Sequence, residues 1–216
     1  MTRLLWVIVS GLMLVGPANA DAITDSLFAE GIFSPLAPGV QIVYSHVRSG
    51  PAAPDFQPVS QESLVLSKPT NGAAHLSLTL IADSRSRSLG EFSAEGGNPV
   101  LLVFLESVAR SMATLTGGSP FYIRNRIKDA LRTGGDPTDV SEPYAGSMVA
   151  AQAFTLRPFE DDPNRERMGE FADLTLRFVV SPSVPGHILS LSADTPDPKT
   201  GYHETFKLSD PGKGSE

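Results

Sequence analysis

One apolar helix in the middle of the chain constrains the fold more than any other feature. Asn98 is a good N-cap, Pro99 suits the first helical position, and Gly117 with Gly118 supplies a C-terminal stop. Apolar residues recur between these ends at helical spacing, namely Leu101, Phe104, Leu105, Val108, Met112 and Leu115. The first turns, residues 100–105, are apolar on every side, so we expect other elements to surround them.

Strand patterns lie on both sides of this helix. Residues 40–48 are rich in β-branched side chains, and residues 74–81 alternate, with Leu76, Leu78 and Leu80 on one face. A short strand is expected at 64–66 after a loop at 49–62, and a solvated turn at the Ser-Arg-Ser-Arg-Ser run, 84–88. A short helix that ends near Gly31 is expected within 23–33, and a second central helix over 121–132. Further strands are expected over 148–156, 171–180, 187–193 and 202–208.

This order of elements predicts a mainly β fold of the α+β class. Parallel α/β folds need a regular alternation of strands and helices, which is missing here. We therefore expect a curved antiparallel sheet, or half-barrel, wrapped around the central apolar helix. The length favours a single domain over residues 21–210, followed by a disordered tail over 211–216.

The first twenty residues have the pattern of a cleaved secretory signal peptide. A basic start at Arg3 precedes an apolar run over residues 4–15, and Ala18-Asn19-Ala20 is a small-x-small cleavage pattern. The run is shorter than the roughly 20 residues that span a bilayer. We expect cleavage between Ala20 and Asp21 and a periplasmic or secreted protein, soluble and not integral to the membrane once processed.

Composition narrows the class of protein further. The 216 residues include no Cys, which excludes disulfide-stapled folds and a lipidation cysteine at the cleavage site. Arg3 is the only charged residue of the leader, so cleavage takes the formal net charge from −7 to −8. An acidic chain of this kind is not expected to bind nucleic acid electrostatically.

The order of elements over about residues 22–208 resembles the half-barrel of the periplasmic lipoprotein-carrier family and of related bacterial envelope proteins of unknown function. The resemblance implies an open curved sheet, lidded by helices, that cradles acyl chains. It is one of architecture alone, since no family motif matches residue by residue. The most distinctive string, residues 117–127, matches no motif of that family, and no residue role is transferred.

No motif identifies a reaction. The chain has no Gly-x-Ser-x-Gly elbow and no Ser-x-x-Lys signature. Its histidines, His46, His75, His187 and His203, show no metal-ligand spacing and are expected to be exposed or hydrogen-bonded strand residues; a site built from two of them is the alternative. The acidic run at 160–167 lacks the glycine of a calcium loop and favours a solvated loop. No metal, cofactor or catalytic residue is predicted.

The second central helix supplies the candidate site residues. It places Arg124, Arg126, Lys128 and Arg132 in an otherwise acidic protein, with Arg124, Lys128 and Arg132 along one face. These cations predict a contact for an anionic group, such as a phospholipid head, a peptidoglycan carboxylate or an acidic partner; a solvated outer face is the alternative. Similarly, the apolar turns at 100–105 form either plain core or the lining of a cavity for an acyl chain.

These observations lead to three hypotheses of function. The first is an exported envelope protein, not an enzyme, that binds an apolar or amphipathic ligand such as a lipid or lipoprotein. The second is a structural or assembly factor of the envelope that acts through a protein partner. The third, a hydrolase built from dispersed residues, requires a histidine close to a serine or a carboxylate.

Overall fold

The computed structural model describes residues 19–71, 74–83 and 85–211. The predicted leader lies outside these ranges except for its last two residues, and the predicted tail lies outside them except for Pro211. The helices are α1 (Asn19–Leu27), α2 (Pro99–Thr116) and α3 (Pro120–Thr133), with two short 3-10 helices at Arg165–Arg167 and Gly169–Asp173. The strands are β1 (Gln41–Ser49), β2 (Val59–Ser67), β3 (His75–Ala82), β4 (Arg85–Ser93), β5 (Thr138–Tyr144), β6 (Ser147–Leu156), β7 (Thr175–Val180), β8 (Ile188–Asp194) and β9 (His203–Leu208).

The nine strands of the described residues form one antiparallel sheet in the order β4-β3-β2-β1-β9-β8-β7-β6-β5. Two meanders, β1–β4 and β5–β9, meet where β9 pairs with β1, from Tyr44 opposite Leu208 to Ser49 opposite His203. The helices α2 and α3 connect the two free edges, β4 and β5. The predicted fold class, a mainly β protein with an apolar central helix against an antiparallel sheet, is confirmed.

The helix α2 packs against one face of the sheet, which we call the inner face. Its Phe104 ring lies edge-on to Phe178 of β7 and Phe206 of β9, with ring centroids 6.1 and 5.6 Å apart. The Asn98 side chain caps the helix by accepting from the Val100 N–H at 3.0 Å. It also donates to the Tyr44 hydroxyl at 3.0 Å, which ties the helix start to β1.

Length and composition alone would allow α2 to cross a bilayer. Within the described residues it is the one helix that meets this criterion. Eight of its eighteen residues are buried in the protein, including Val100, Leu101 and Phe104. Such burial is typical of the core helix of a globular domain.

Several predicted elements differ from the observed ones. The run at 84–88 is not a turn, because residues 85–88 form the first half of β4 and pair with β3 from Thr79 to Ala82. The strand β2 starts at Val59, inside the predicted loop, and β5 was not predicted at all. Residues 171–173 belong to a 3-10 helix rather than to β7. The first helix ends at Leu27, earlier than expected.

Candidate ligand-binding groove

The inner face of the sheet carries a polar cluster at the junction of β1 and β9. Alternate residues of a strand share a face, so Glu204 extends the row of Phe206 and Leu208, and His46 extends that of Ile42 and Tyr44. Glu204 is fully buried and His46 is 5% exposed. A charged group in such a place needs partners of its own.

The chain supplies partners for the Glu204 carboxylate from three directions. Its Oε1 accepts from Nε2 of His46 at 2.8 Å and from the Ser107 hydroxyl of α2 at 2.6 Å. Its Oε2 accepts from the Tyr202 hydroxyl. Burial, followed by the neighbouring Glu204 carboxylate, raises the pKa of Tyr202 well above its usual value, so its hydroxyl stays a donor.

His46 lies between two carboxylates, because its Nδ1 is 3.0 Å from Oε2 of Glu62 on β2. Both ring nitrogens of His46 therefore face carboxylate oxygens. Arg48 completes the cluster by donating from Nη1 to the Ser107 hydroxyl at 3.0 Å. The cluster therefore binds β1, β2, β9 and α2 together.

Above this cluster lies an open groove of about 570 Å³ between α2 and the β1–β4 half of the sheet. We call it the α2–β4 groove. Its apolar lining is Val59, Leu64, Leu80, Leu89, Leu102, Val103 and Phe206. Its polar lining is His46, Arg48, Glu62, Arg87, Glu106, Ser107 and Arg110. The volume lies in the range of small-molecule binding sites.

The apolar turns of α2 divide between core and groove. Val100, Leu101 and Phe104 are buried, as a core helix requires. Leu102 is 54% exposed, although Leu101 directly before it is buried, and it lines the groove with the partly buried Val103. The core prediction therefore holds for one side of the helix, and on the other side Leu102 and Val103 line an open groove.

The four predicted cationic residues of α3 do not converge on one site. Arg124 donates from Nε and Nη2 to Glu106 of α2, at 2.7 and 2.8 Å. This contact, together with Arg110, lowers the pKa of Glu106 to about 2. Arg132 donates to Asp129 at 3.0 Å, while Lys128 is exposed and forms no ion pair with a described residue. Three of these residues share the exposed face, as expected.

Arg126 points elsewhere, toward the acidic loop at 160–167. It donates to Asp162 at 2.7 Å, and the Tyr122 hydroxyl and the Asn164 backbone N–H lie 2.8 Å from the same carboxylate. Burial alone would raise the pKa of Asp162, but these donors hold it below its usual value. The loop is thus anchored by a buried carboxylate rather than fully solvated. A second groove, of about 470 Å³, beside Arg126 has a lining of mixed charge that includes Asp129, Arg157 and Glu160.

The histidines do approach carboxylates, which keeps the hydrolase hypothesis open. His203 contacts Asp194 at 3.0 Å, while His46 contacts Glu62 and Glu204. The Ser107 hydroxyl donates to Glu204 and not to an imidazole. In the described part of the chain, no group of acidic and histidine side chains could hold a metal ion.

The sequence patterns did not predict Ser107, Glu204, Glu62 and Arg87 as site residues. A usable signal was present for Glu204, because it interrupts the alternating apolar row of Tyr202, Phe206 and Leu208. No local signal marks Ser107, which becomes part of the site only because α2 packs over β9. Comparison with known proteins adds nothing to this geometry, since neither a protein-family model nor a curated protein matches the chain.

Proposed function

We propose that the protein is an exported envelope protein that binds an amphipathic ligand, such as a lipid or the lipid part of a lipoprotein, in the α2–β4 groove. The single observation that supports this most is the partly exposed apolar wall of the groove, with Leu102, 54% exposed, at its rim. A soluble helix usually turns apolar residues of this kind into the core. Covering the wall with an acyl chain would remove this surface from water.

The floor of the groove supports a binding role more than a catalytic one. The donors and acceptors of His46, Ser107 and Glu204 are engaged with one another, so they stabilise the floor without leaving a free nucleophile beside a base. The resemblance to lipoprotein carriers, in which a curved sheet under helices cradles acyl chains, stays a prediction and points to the same class of ligand.

The alternative role as an assembly factor that uses α3 receives less support. Three of its four cations, Arg124, Arg126 and Arg132, are already paired with carboxylates of this chain. An acidic partner would have to compete with these pairs. Binding of an apolar chain in the α2–β4 groove does not require competition with these ion pairs.

The substitution Leu102→Glu tests the proposal. A carboxylate at the apolar rim opposes entry of an apolar chain, so we expect affinity for a neutral fluorescent probe, N-phenyl-1-naphthylamine, to fall at least about tenfold. Lipid extracted from the purified protein, measured by mass spectrometry, should fall in parallel. The control is Met148→Glu, because Met148 is similarly exposed, at 61%, but lies at the β5–β6 hairpin. Equal binding by both variants, or no binding by the unchanged protein, would contradict the proposal.

A further inference from the structure

The groove has a charged rim on the side of the free edge strand. Arg85 and Arg87 are two residues apart in β4, and Arg87 pairs with Leu80 of β3. Alternation therefore places both arginines on the inner face. Arg87 lines the groove, and Arg85 lies two residues before it, opposite Ala82 at the start of β4. The serines between and after them, Ser86 and Ser88, lie on the opposite face.

These two guanidinium groups lack acidic partners within the described residues, where neither Arg85 nor Arg87 forms an ion pair. The two glutamates that line the groove are engaged elsewhere. Glu62 contacts His46, and Glu106 accepts from Arg110 and Arg124. An exposed cation without a partner on the rim remains available to a ligand.

A third guanidinium faces the rim from α2. Arg110 is largely exposed and lines the same groove as Arg87, so cations from the edge strand and from the helix lie on its two sides. The groove lining has three arginines and two glutamates, whereas the whole chain has a net charge of −7. The buried Glu204 in the floor lies 3.8 Å from Arg48 and offsets its charge, so the positive charge is concentrated at the rim, where Arg87 forms no ion pair with a described residue. A rim of this kind favours an anionic group and disfavours a cationic one.

We infer that the ligand of the α2–β4 groove is an amphiphile with an anionic headgroup, a carboxylate or a phosphate, held at the rim by Arg85 and Arg87. This inference rests on the proposed function, because the apolar chain of the ligand lies against Leu80, Leu89 and Leu102. The exposed position of the arginines keeps the headgroup at the water boundary while the chain covers the apolar wall. Paired guanidinium groups suit carboxylate and phosphate oxygens equally well.

Three amphiphiles with the same twelve-carbon chain test this inference, each used below its micelle concentration. They are dodecanoate, monododecanoylglycerol and dodecyltrimethylammonium, and their affinities are measured by displacement of N-phenyl-1-naphthylamine at low salt. We expect dodecanoate to bind about five- to tenfold more tightly than the neutral glyceride, the size expected from two exposed charge contacts, and the cation to bind most weakly. In the double variant Arg85→Gln/Arg87→Gln, this preference should disappear, so that dodecanoate and the glyceride bind with equal affinity.

A double variant of equal charge change serves as the control. Arg167→Gln/Lys199→Gln removes two exposed cations that do not line the groove, so it should keep the preference for dodecanoate. Retention of the preference in Arg85→Gln/Arg87→Gln, or its loss in the control, would overturn the assignment to these arginines.

Two further outcomes separate the inference from the proposed function. Equal binding of dodecanoate and the glyceride by the unchanged protein leaves the apolar groove in place but refutes an anionic headgroup. Binding of none of the three amphiphiles refutes the proposed function, and the inference with it. Inorganic phosphate alone is the last ligand tested. If millimolar phosphate displaces dodecanoate, the rim binds free anions and the assignment of an amphiphile headgroup to it is wrong.

Discussion

Glu204 connects three parts of the fold through the hydrogen bonds of its side chain. Its carboxylate is fully buried and accepts from His46 of β1, Ser107 of α2 and Tyr202 just before β9. No buried side-chain nitrogen or oxygen of the described residues lacks a partner. A network in which every donor and acceptor is paired fixes the relative positions of the strands and helices that it joins. Removing any one member therefore lowers the free energy of unfolding.

The substitution Glu204→Gln tests this dependence at nearly constant volume. The amide replaces an acceptor by a donor at a point where several donors converge, so we expect the free energy of unfolding to fall by about 3 kcal/mol in urea titrations. The control is Glu142→Gln, because Glu142 is partly exposed and its contact with Arg177 is long, at 3.7 Å. In this variant the free energy of unfolding should fall by less than about 1 kcal/mol. Losses of the same size in both variants would show that the Glu204 network is not a stabilising feature.

At the scale of elements, α3 shows how a charged helix is held in a fold that has no disulfide. Its inward residues Ile123, Ile127 and Leu131 are buried. Its polar flank is attached to the loop at 160–167 through Asp162, and its outer flank to α2 through Arg124 and Glu106. The positive charge of α3 that stands out in the sequence is therefore mostly used within the chain.

The substitution Asp162→Asn should detach α3 from this loop. Removing the carboxylate weakens the hydrogen bonds from Tyr122 and Arg126 and leaves the guanidinium without its partner. We expect a loss of about 2 kcal/mol in the free energy of unfolding, measured by thermal and urea denaturation. Asp129→Asn is the matched control, since Asp129 pairs with Arg132 at the surface and should cost less than about 1 kcal/mol. A neutral result for Asp162→Asn would mean that apolar packing alone positions α3.

The two edge strands show why some elements were not predicted from the sequence. In β4 the residues Arg85 to Ser88 are all exposed, and β5 contains Pro143 and has no fully buried residue. Hydrophobic periodicity detects strands that have a buried face, and these strands lack one. They pair through their backbones with β3 and β6, which a local sequence pattern does not report.

At the scale of the whole molecule, the pairing of β1 with β9 joins the two meanders into one sheet. Six residues of β1, from Tyr44 to Ser49, find their partners more than 150 positions later in the chain. Such distant contacts form only when the whole chain is folded, so these central strands should be the last part of the sheet to open.

Native-state hydrogen exchange, read by NMR or mass spectrometry, measures this order. We expect backbone amides of β1, β8 and β9 to exchange most slowly, at rates set by global unfolding. Amides of the edge strands β4 and β5 should exchange fastest through local opening. Addition of dodecanoate should slow exchange in β3 and β4, which border the groove, and leave β5 unchanged. Equal protection of edge and centre would contradict a sheet that opens from its edges.

The sequence by itself determined the mainly β class, the buried central helix and its caps. These depend on local rules, since Asn98 and Pro99 act on the first turn of the helix and Gly117, with φ of 69°, acts on its last turn. The cleaved signal peptide, the periplasmic or secreted location and the anionic ligand class remain predictions. Only the tertiary structure decided the groove, because Ser107, Glu204 and Arg87 belong to α2, β9 and β4 and meet through packing and strand register. That placement depends on contacts between residues far apart in the chain, whereas a sequence pattern records only its near neighbours.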